Sequence, residues 1–410
     1  MPASGLRTLI MFIFRYIRRF FSALAIAFAS EWRIVLKDPG VLIFFLALPL
    51  AYPIAYTLVY NPEVLEKMPI AVVDDSRSPE SRDLVRKIGA TQAIEIYDYF
   101  PNMQDAKKLV DANEIFGILY IDSDFAHEIG RGATGHVTFF CDMALMLRFR
   151  TFAFDLTEVQ IAQIGDITSN RLDMIGAESM AGGGMPVQSE SFMLGDPSQG
   201  FASFVMPGIL VLILQQSMVL GAVMIMGTAR QRRRRHGGED PLMPVDGPTY
   251  AVVWGKALCY VIFYIVPALF ALHYIPEIFN LPHVGSAVQY LLFIFPFLLA
   301  SAFFGISFGG LARDRESAFM LVVVTSVFFL FLSGLTWPRF AMPEGWQIVG
   351  DFIPATWAVQ GFIQINSNNA TLADVMPNFY WLWILVAAYS VLAAVAQRWL
   401  RGRNFAKTIK

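Results

Sequence analysis

Apolar stretches without charge dominate the pattern of this chain. A charge near the centre of a bilayer is costly, and a helix needs about 20 apolar residues to cross one, so gaps between successive charged residues locate candidate spans. Five gaps qualify directly: Pro39 to Pro62, Pro197 to Ala229, Ala257 to Pro276, Ser317 to Pro338 and Val375 to Gln397. A sixth, Ile278 to Ala312, is longer than one helix needs. Its start, with Pro282 and His283, reads as an outer loop, and its helix begins near Ala287. The pattern predicts six transmembrane helices, at 39–62 and at about 203–228, 252–275, 287–311, 317–336 and 378–397.

Ahead of the first span the pattern changes. Arg15, Arg18 and Arg19 fall at i, i+3 and i+4 and share one helical face, with Phe12, Phe14, Phe20 and Phe21 available for lipid headgroups. The apolar gap after Arg19 runs only from Phe20 to Ser30, too short to cross. Residues 1–38 therefore read as a cytoplasmic N-terminus and an amphipathic helix lying in the interface, in preference to a cleaved signal.

Between the first two spans the period shortens. PIAVVDD, AIEIYDY, IFGILYI and HVTFFCD are strand-like, and PESRDLVRKIG, NMQDAKKLVDAN and DFAHEIGRG between them are helix-like. Residues 63–200 therefore predict an inserted α/β domain with a partly parallel sheet and a long helix from Ala144 to about Met180, ending in the flexible AGGGMP. The paired acids Asp74/Asp75 and Asp122/Asp124 sit where strands end, which favours capping of backbone N–H groups over catalysis. His127 and His136 lack a Cys or carboxylate at ligand spacing, so no metal site is expected. Cys141 and Cys259, the only cysteines, fall outside and inside the membrane portion and predict no disulfide.

Composition agrees with the membrane reading: the 410 residues are 56% hydrophobic and 16% charged, with mean hydropathy +0.51. Charge then sets orientation. Nineteen of the 31 basic residues fall on the side shared by both termini, and the opposite short loops hold only Arg339. The asymmetry predicts that both termini are cytoplasmic and that the inserted domain is extracytoplasmic. Residues 399–410 then form a basic cytoplasmic tail. The run Arg230–Arg235 follows a span on the cytoplasmic side, where anionic lipid explains it better than nucleic acid. The Gly- and Pro-rich continuation to 250 allows only a short turn near Glu239 to Val245, a compact protrusion suited to a partner's cleft.

Chemistry of its own is not indicated. There is no G-x-x-x-x-G-K-[ST] phosphate cradle and no placeable catalytic triad, so the chain does not read as an enzyme. Ionisable groups are nearly absent from the spans, which argues against coupling to an ion gradient. The remaining polar groups, Gln215, Gln216 and Ser217 in the second span and Thr325 and Ser326 in the fifth, suit helix packing first and a substrate path second.

Three stretches carry a resemblance. ASEWRIVLKDPGVLIFFLALPLAYPIAY, Ala29 to Tyr56, is similar to the elbow helix and first span of type-2 ABC exporter permeases. Leu242-Met243-Pro244 and Gly255-Lys256 match the family's coupling-helix region, although HGGEDP replaces the usual Gly-Thr stretch. SGLTWPRFAMPEGWQIVGDFIPATWAVQGF resembles the family's end of the fifth span. The large domain between the first two spans resembles a subgroup of these permeases.

The resemblance implies a permease dimer, with one or two kinds of chain, on two cytoplasmic ABC ATPases that hold the ATP and Mg. It also implies, in this bacterial subgroup, a periplasmic membrane-fusion adaptor and a place in the inner membrane. Its candidate ATPase contacts are Glu239, Asp240, Leu242, Met243 and Pro244 of the 230–250 loop, with Glu31 and Arg33 of the elbow. Gln215, Gln216, Ser217, Thr325, Ser326 and Ser333 are candidates for the translocation path. Pro338, Pro343 and Pro354, in an outer re-entrant segment at 338–366, are candidates for an outer gate, with Trp337, Trp346 and Trp357 in the interface belt. Aromatic spans without charge favour a lipid, lipid-linked polymer or drug as cargo. An envelope scaffold or a sensor with an extracytoplasmic ligand domain is the alternative, distinguished by the absence of ATP-dependent export.

Overall fold

A computed structural model describes residues 3–60, 66–142, 146–174, 201–237, 240–243 and 247–408. They divide into two compact units, one made of Met1–Asn61 with Met193–Lys410 and the other of Pro62–Phe192.

The first unit contains six helices long and apolar enough to cross a membrane: Pro39–Tyr60, Ala202–Arg235, Thr249–Ile278, Ala287–Gly309, Arg315–Leu332 and Met376–Trp399, called spans 1 to 6. Span 2 is 83% buried within the unit, whereas span 5 is only 22% buried. Spans 2 and 4 thus form the core, and span 5 presents Met320, Val323, Val324, Val327, Phe328 and Phe331 outward. An apolar face of that size suits lipid or a neighbouring chain, since neither requires polar cover.

Span 1 is not regular. Residues Ile43–Ala47 form a π turn, which loosens the backbone ladder. The Tyr264 hydroxyl of span 3 lies 3.0 Å from the Phe44 carbonyl oxygen and 3.0 Å from Ser217 Oγ of span 2. Phe45, fully buried, meets Tyr260 and Tyr264 edge-on at 5.2 Å each. This bulge fastens spans 1, 2 and 3 together.

A helix from Ala3 to Lys37 precedes span 1. Arg15, Arg18 and Arg19 are exposed, as are most of the described side chains from Met11 to Ser22. From Ala23 onward one face is buried, through Ala23, Ala27, Glu31, Ile34 and Val35, at the spacing of a helical stripe. That stripe lies on span 3, where a Cβ on Gly255 would come within 2.5 Å of the Leu24 carbonyl oxygen. Only glycine permits this approach. Trp32 stacks on Phe263 with ring centroids 4.2 Å apart.

Span 5 ends at Leu332, earlier than the expected 336. Gly334 then takes φ +86, the left-handed value that stops a helix, and Ser333 Oγ donates to the Leu330 carbonyl. The chain continues through the short turn Arg339–Ala341 into an exposed helix, Glu344–Asp351, and a buried one, Pro354–Asn368. The break at Phe352 and Ile353 falls inside the 338–366 segment, because Pro354 cannot supply the N–H that would continue the helix.

The second unit contains a four-stranded sheet in the order β2-β1-β3-β4, with β1 Met68–Asp74, β2 Ile94–Tyr99, β3 Gly117–Ile121 and β4 Val137–Cys141. β1 runs parallel to β2 and β3, and β4 runs antiparallel to β3. One face buries Ile70, Val72, Leu119 and Ile121 against helix Pro79–Gly89 and the long helix Met146–Met174. The other buries Ala71, Val73 and Ile118 beneath helix Met103–Asp111. Among the paired acids, Asp74 accepts from the Arg77 N–H at 2.9 Å and the Ser81 hydroxyl at 2.6 Å. Asp75 instead accepts from the Tyr120 hydroxyl at 3.0 Å, and Asp124 begins its helix without a side-chain cap.

Candidate functional site

At the basic end of the first unit, the N-terminal helix, the start of span 1, the end of span 2 and the start of span 5 surround a cleft of about 530 Å³. Its lining includes Arg33, Lys37, Asp38, Arg232, Leu242 and Arg315. Two of these cations are already held. Asp38 accepts from the Gly40 and Val41 N–H groups at 3.1 and 3.2 Å, capping span 1, with Pro39 following at the first helical position. The same carboxylate takes a two-pronged contact from Arg315, both arms 2.9 Å. Arg232 grips Asp240 likewise, at 3.0 and 3.1 Å.

Asp240 serves the loop as an anchor. Its side chain is 3% exposed, and it also accepts from the Leu242 N–H at 3.2 Å, closing a tight turn. The turn holds Met243 inward and leaves Leu242 exposed at its tip. Arg33 and Lys37 are exposed and have no carboxylate partner among the described residues. The cleft therefore offers two uncommitted cations and a protruding leucine on a rim braced by two ion pairs. Such a surface suits an acidic partner face with an apolar socket. Nearby, Asp314 caps span 5, and hydrogen bonds from the Ser317 backbone N–H and hydroxyl hold its carboxyl below the usual carboxylate range.

Glu31 does not face this cleft. It is fully buried, with Oε2 2.8 Å from Lys256 Nζ of span 3 and Oε1 accepting from the Tyr260 hydroxyl. Its position joins the N-terminal helix to span 3 instead of meeting a partner. Of the expected contacts, then, Arg33 and Leu242 are presented outward, while Asp240, Met243 and Glu31 support them from within. Glu239 and Pro244 lie outside the described residues. Sequence reasoning missed Lys256 and Tyr260 as the partners of Glu31, and Arg315 as the partner of Asp38. The Asp-Pro pair signalled the cap, but partners 225 and 277 residues away leave no local pattern.

The candidate path residues separate into two groups. Gln215 Oε1 accepts from the Ala355 N–H at 2.6 Å, which satisfies a free donor in the first turn of helix Pro354–Asn368. Ser217 bonds back to the Ile213 carbonyl at 2.7 Å. Gln216 differs, since both its amide atoms are buried and lack a hydrogen-bond partner among the described residues. Thr325 and Ser326 lie on span 5 and donate to carbonyls of their own helix. Ser333 is buried at the end of that helix. The structure therefore sets the span 2 residues in the core and the span 5 pair on a partly exposed flank.

The three candidate gate prolines each start a turn of structure: Pro338 precedes Arg339–Ala341, Pro343 caps Glu344–Asp351, and Pro354 opens the buried helix. Arg339 ties them together. It contacts the Asp351 carboxylate and the Gln347 carbonyl, and its guanidinium lies 5.2 Å from the Trp357 ring centroid. Trp357 donates to the Asp351 carbonyl at 3.0 Å and stacks on Trp381 of span 6 at 5.0 Å.

Comparison with known proteins supplies the family. Residues 39–395 match the model of the ABC-2 family transporter protein. Over 192 residues, 46% of this chain and 50% of the relative, it is 24% identical to the inner membrane transport permease YhhJ of Escherichia coli strain K12. Over 333 residues, 80% of this chain and 85% of the relative, it is 21% identical to the probable multidrug ABC transporter permease YbhR of the same strain. The matched region spans half the length of the first of these relatives. Because the family match takes in the six apolar helices almost in full, the chain belongs to the ABC-2 transporter family and is a transmembrane permease of the type-2 ABC class.

Proposed function

We propose that this chain is the permease subunit of an ATP-driven exporter, and that a cytoplasmic ABC ATPase docks in the cleft between Arg33, Lys37 and Leu242. The observation that carries this reading is the cleft itself, which brings the elbow-like end of the N-terminal helix and the loop after span 2 into one braced surface. ATP and Mg belong to that partner, whose hydrolysis powers transport. The cleft side and both termini are cytoplasmic in this reading, supported by the excess of basic residues there. The sheet-containing unit, Pro62–Phe192, is extracytoplasmic and meets cargo, a periplasmic membrane-fusion adaptor or the other permease copy. A second permease copy covers the exposed faces, and a hydrophobic or amphipathic cargo, such as a lipid, lipid-linked polymer or drug, passes outward through the inner membrane between the copies. The apolar, aromatic spans support that class of cargo.

Charge reversal in the cleft tests the proposal. In membranes containing the cognate ATPase, Arg33→Glu with Lys37→Glu is expected to abolish co-purification of the ATPase while the permease remains folded by size exclusion. Full retention of the ATPase by this variant would overturn the placement. ATP-dependent export by reconstituted vesicles separates the exporter from a scaffold or sensor.

A further inference from the structure

We propose that His273, Glu277 and His283 form a binding site for a divalent transition-metal ion of the zinc class, at the end of span 3 remote from the cleft. These donors are distinct from His127 and His136, where no metal site is expected. Here two imidazoles and a carboxylate converge, and one ligand atom from each lies within 4.8 Å of the other two. His273 Nε2 is 4.0 Å from Glu277 Oε2. Around a tetrahedral zinc ion, with bonds of about 2.0–2.2 Å, ligand atoms stand roughly 3.3 Å apart. Small side-chain rotations close the difference. Two nitrogens with one oxygen favour zinc, cobalt or nickel over magnesium or calcium, which take oxygen donors.

Local structure prepares the three donors. His273 lies in a second π turn, Phe270–Tyr274, and Glu277 follows one turn later on the same face. His273 Nδ1 is buried and has no hydrogen-bond partner among the described residues, whereas Nε2 is the ring nitrogen that faces Glu277. The third donor, His283, lies partly buried in the loop before span 4. Its loop is fastened on both sides. The Val284 N–H donates to the Asn366 carbonyl at 3.2 Å, and Asn366 Nδ2 donates to the Pro282 carbonyl at 3.3 Å. Tyr290 in turn donates to Asn366 Oδ1 at 3.0 Å.

Glu277, 60% exposed, gives the ion an entrance, and a fourth coordination position remains for water or an incoming group. A bound ion would join span 3 to the loop before span 4. Through Asn366 it would also reach the buried helix Pro354–Asn368, so metal occupancy would stiffen the gate-bearing segment.

The test uses the full chain without a polyhistidine tag, reconstituted and freed of metal by chelator. Co²⁺ is expected to bind at one per chain with the visible absorption of a tetrahedral site, and Zn²⁺ to displace it. His273→Gln, Glu277→Gln and His283→Gln should each weaken Co²⁺ binding at least about tenfold, since even outer-shell changes weaken such sites 10–100-fold. His127→Gln, His136→Gln and His236→Gln should leave it unchanged. Zn²⁺ should raise the thermal midpoint of the parent chain and not of Glu277→Gln, whose exposed position keeps the fold intact. The proposal is overturned if the parent chain binds no Co²⁺, or if the three ligand variants bind it as tightly as the parent.

Discussion

The buried contact between Glu31 and Lys256 makes a quantitative prediction. The carboxylate is fully buried and the ammonium 3% exposed, with 2.8 Å between them and the Tyr260 hydroxyl completing the site. Replacing Lys256 by Met keeps most of the length of the apolar stem but leaves a carboxylate inside the protein with one hydroxyl for company. Breaking one side of such a pair costs about 3–5 kcal/mol, because desolvation of the remaining charge is no longer offset. Glu31→Leu strands the ammonium and should cost a similar amount. The double variant removes both charges and should return to within about 1–2 kcal/mol of the parent chain, since well-packed apolar replacements of ion pairs are often neutral or stabilising. Equilibrium unfolding in mixed micelles of detergent and SDS, followed by tryptophan fluorescence, measures each corner of this cycle. Additive losses, with the double variant as unstable as the two singles combined, would refute the coupling.

Other residues allow sharper separation of roles. Gln216→Leu removes two buried amide atoms that lack partners among the described residues, so it should stabilise the first unit, by about 1–3 kcal/mol in the same unfolding assay. If stability rises while export falls, the amide serves cargo; if stability falls, an unrecognised partner exists. Asp38→Asn retains an oxygen to cap span 1 but loses the charge that meets Arg315, so it should cost less than about 1 kcal/mol at this partly exposed pair. Asp38→Ala loses the cap as well, worth about 1 kcal/mol more, and equal losses from the two variants would show the cap to be unimportant.

Much of the membrane unit was legible because lipid imposes one rule on every span. Charge gaps alone gave six segments close to the observed helices, since any charge there would have to be paired or excluded. Pairing explains the charge that the expected 252–275 span had to include: Lys256 lies inside span 3 and is compensated by Glu31, which arrives from a helix placed by tertiary packing. The cleft was legible in part for a related reason. The basic cluster and the Pro-rich loop marked its edges, but whether Asp240 faced a partner or Arg232 depended on how the loop folds over span 2. His273 and Glu277, four apart, were readable as a ligand pair. The third donor was hidden because a loop of irregular backbone brings it back.

The two Arg–Asp contacts at the cleft also bear on how force would enter the permease. Asp38 and Arg315 join the first turns of spans 1 and 5, and both are among the spans least buried by their own unit. An element with little of its surface packed can tilt at small cost, whereas the core spans 2 and 4 cannot move without opening cavities. A partner pressing on Leu242 acts on a turn held to the end of span 2 by Arg232, and so acts against the fixed core. A partner drawing on Arg33 and Lys37 would act on the residues just before Asp38, whose clasp on Arg315 joins spans 1 and 5. Span 5 leads directly to Gly334 and the Arg339-tied segment beyond it. In the proposed reading, displacement at the cleft would pass along span 5 as far as Leu332 and then into the Arg339-tied segment that holds Pro338 and Pro343, with spans 2 and 4 as the fulcrum.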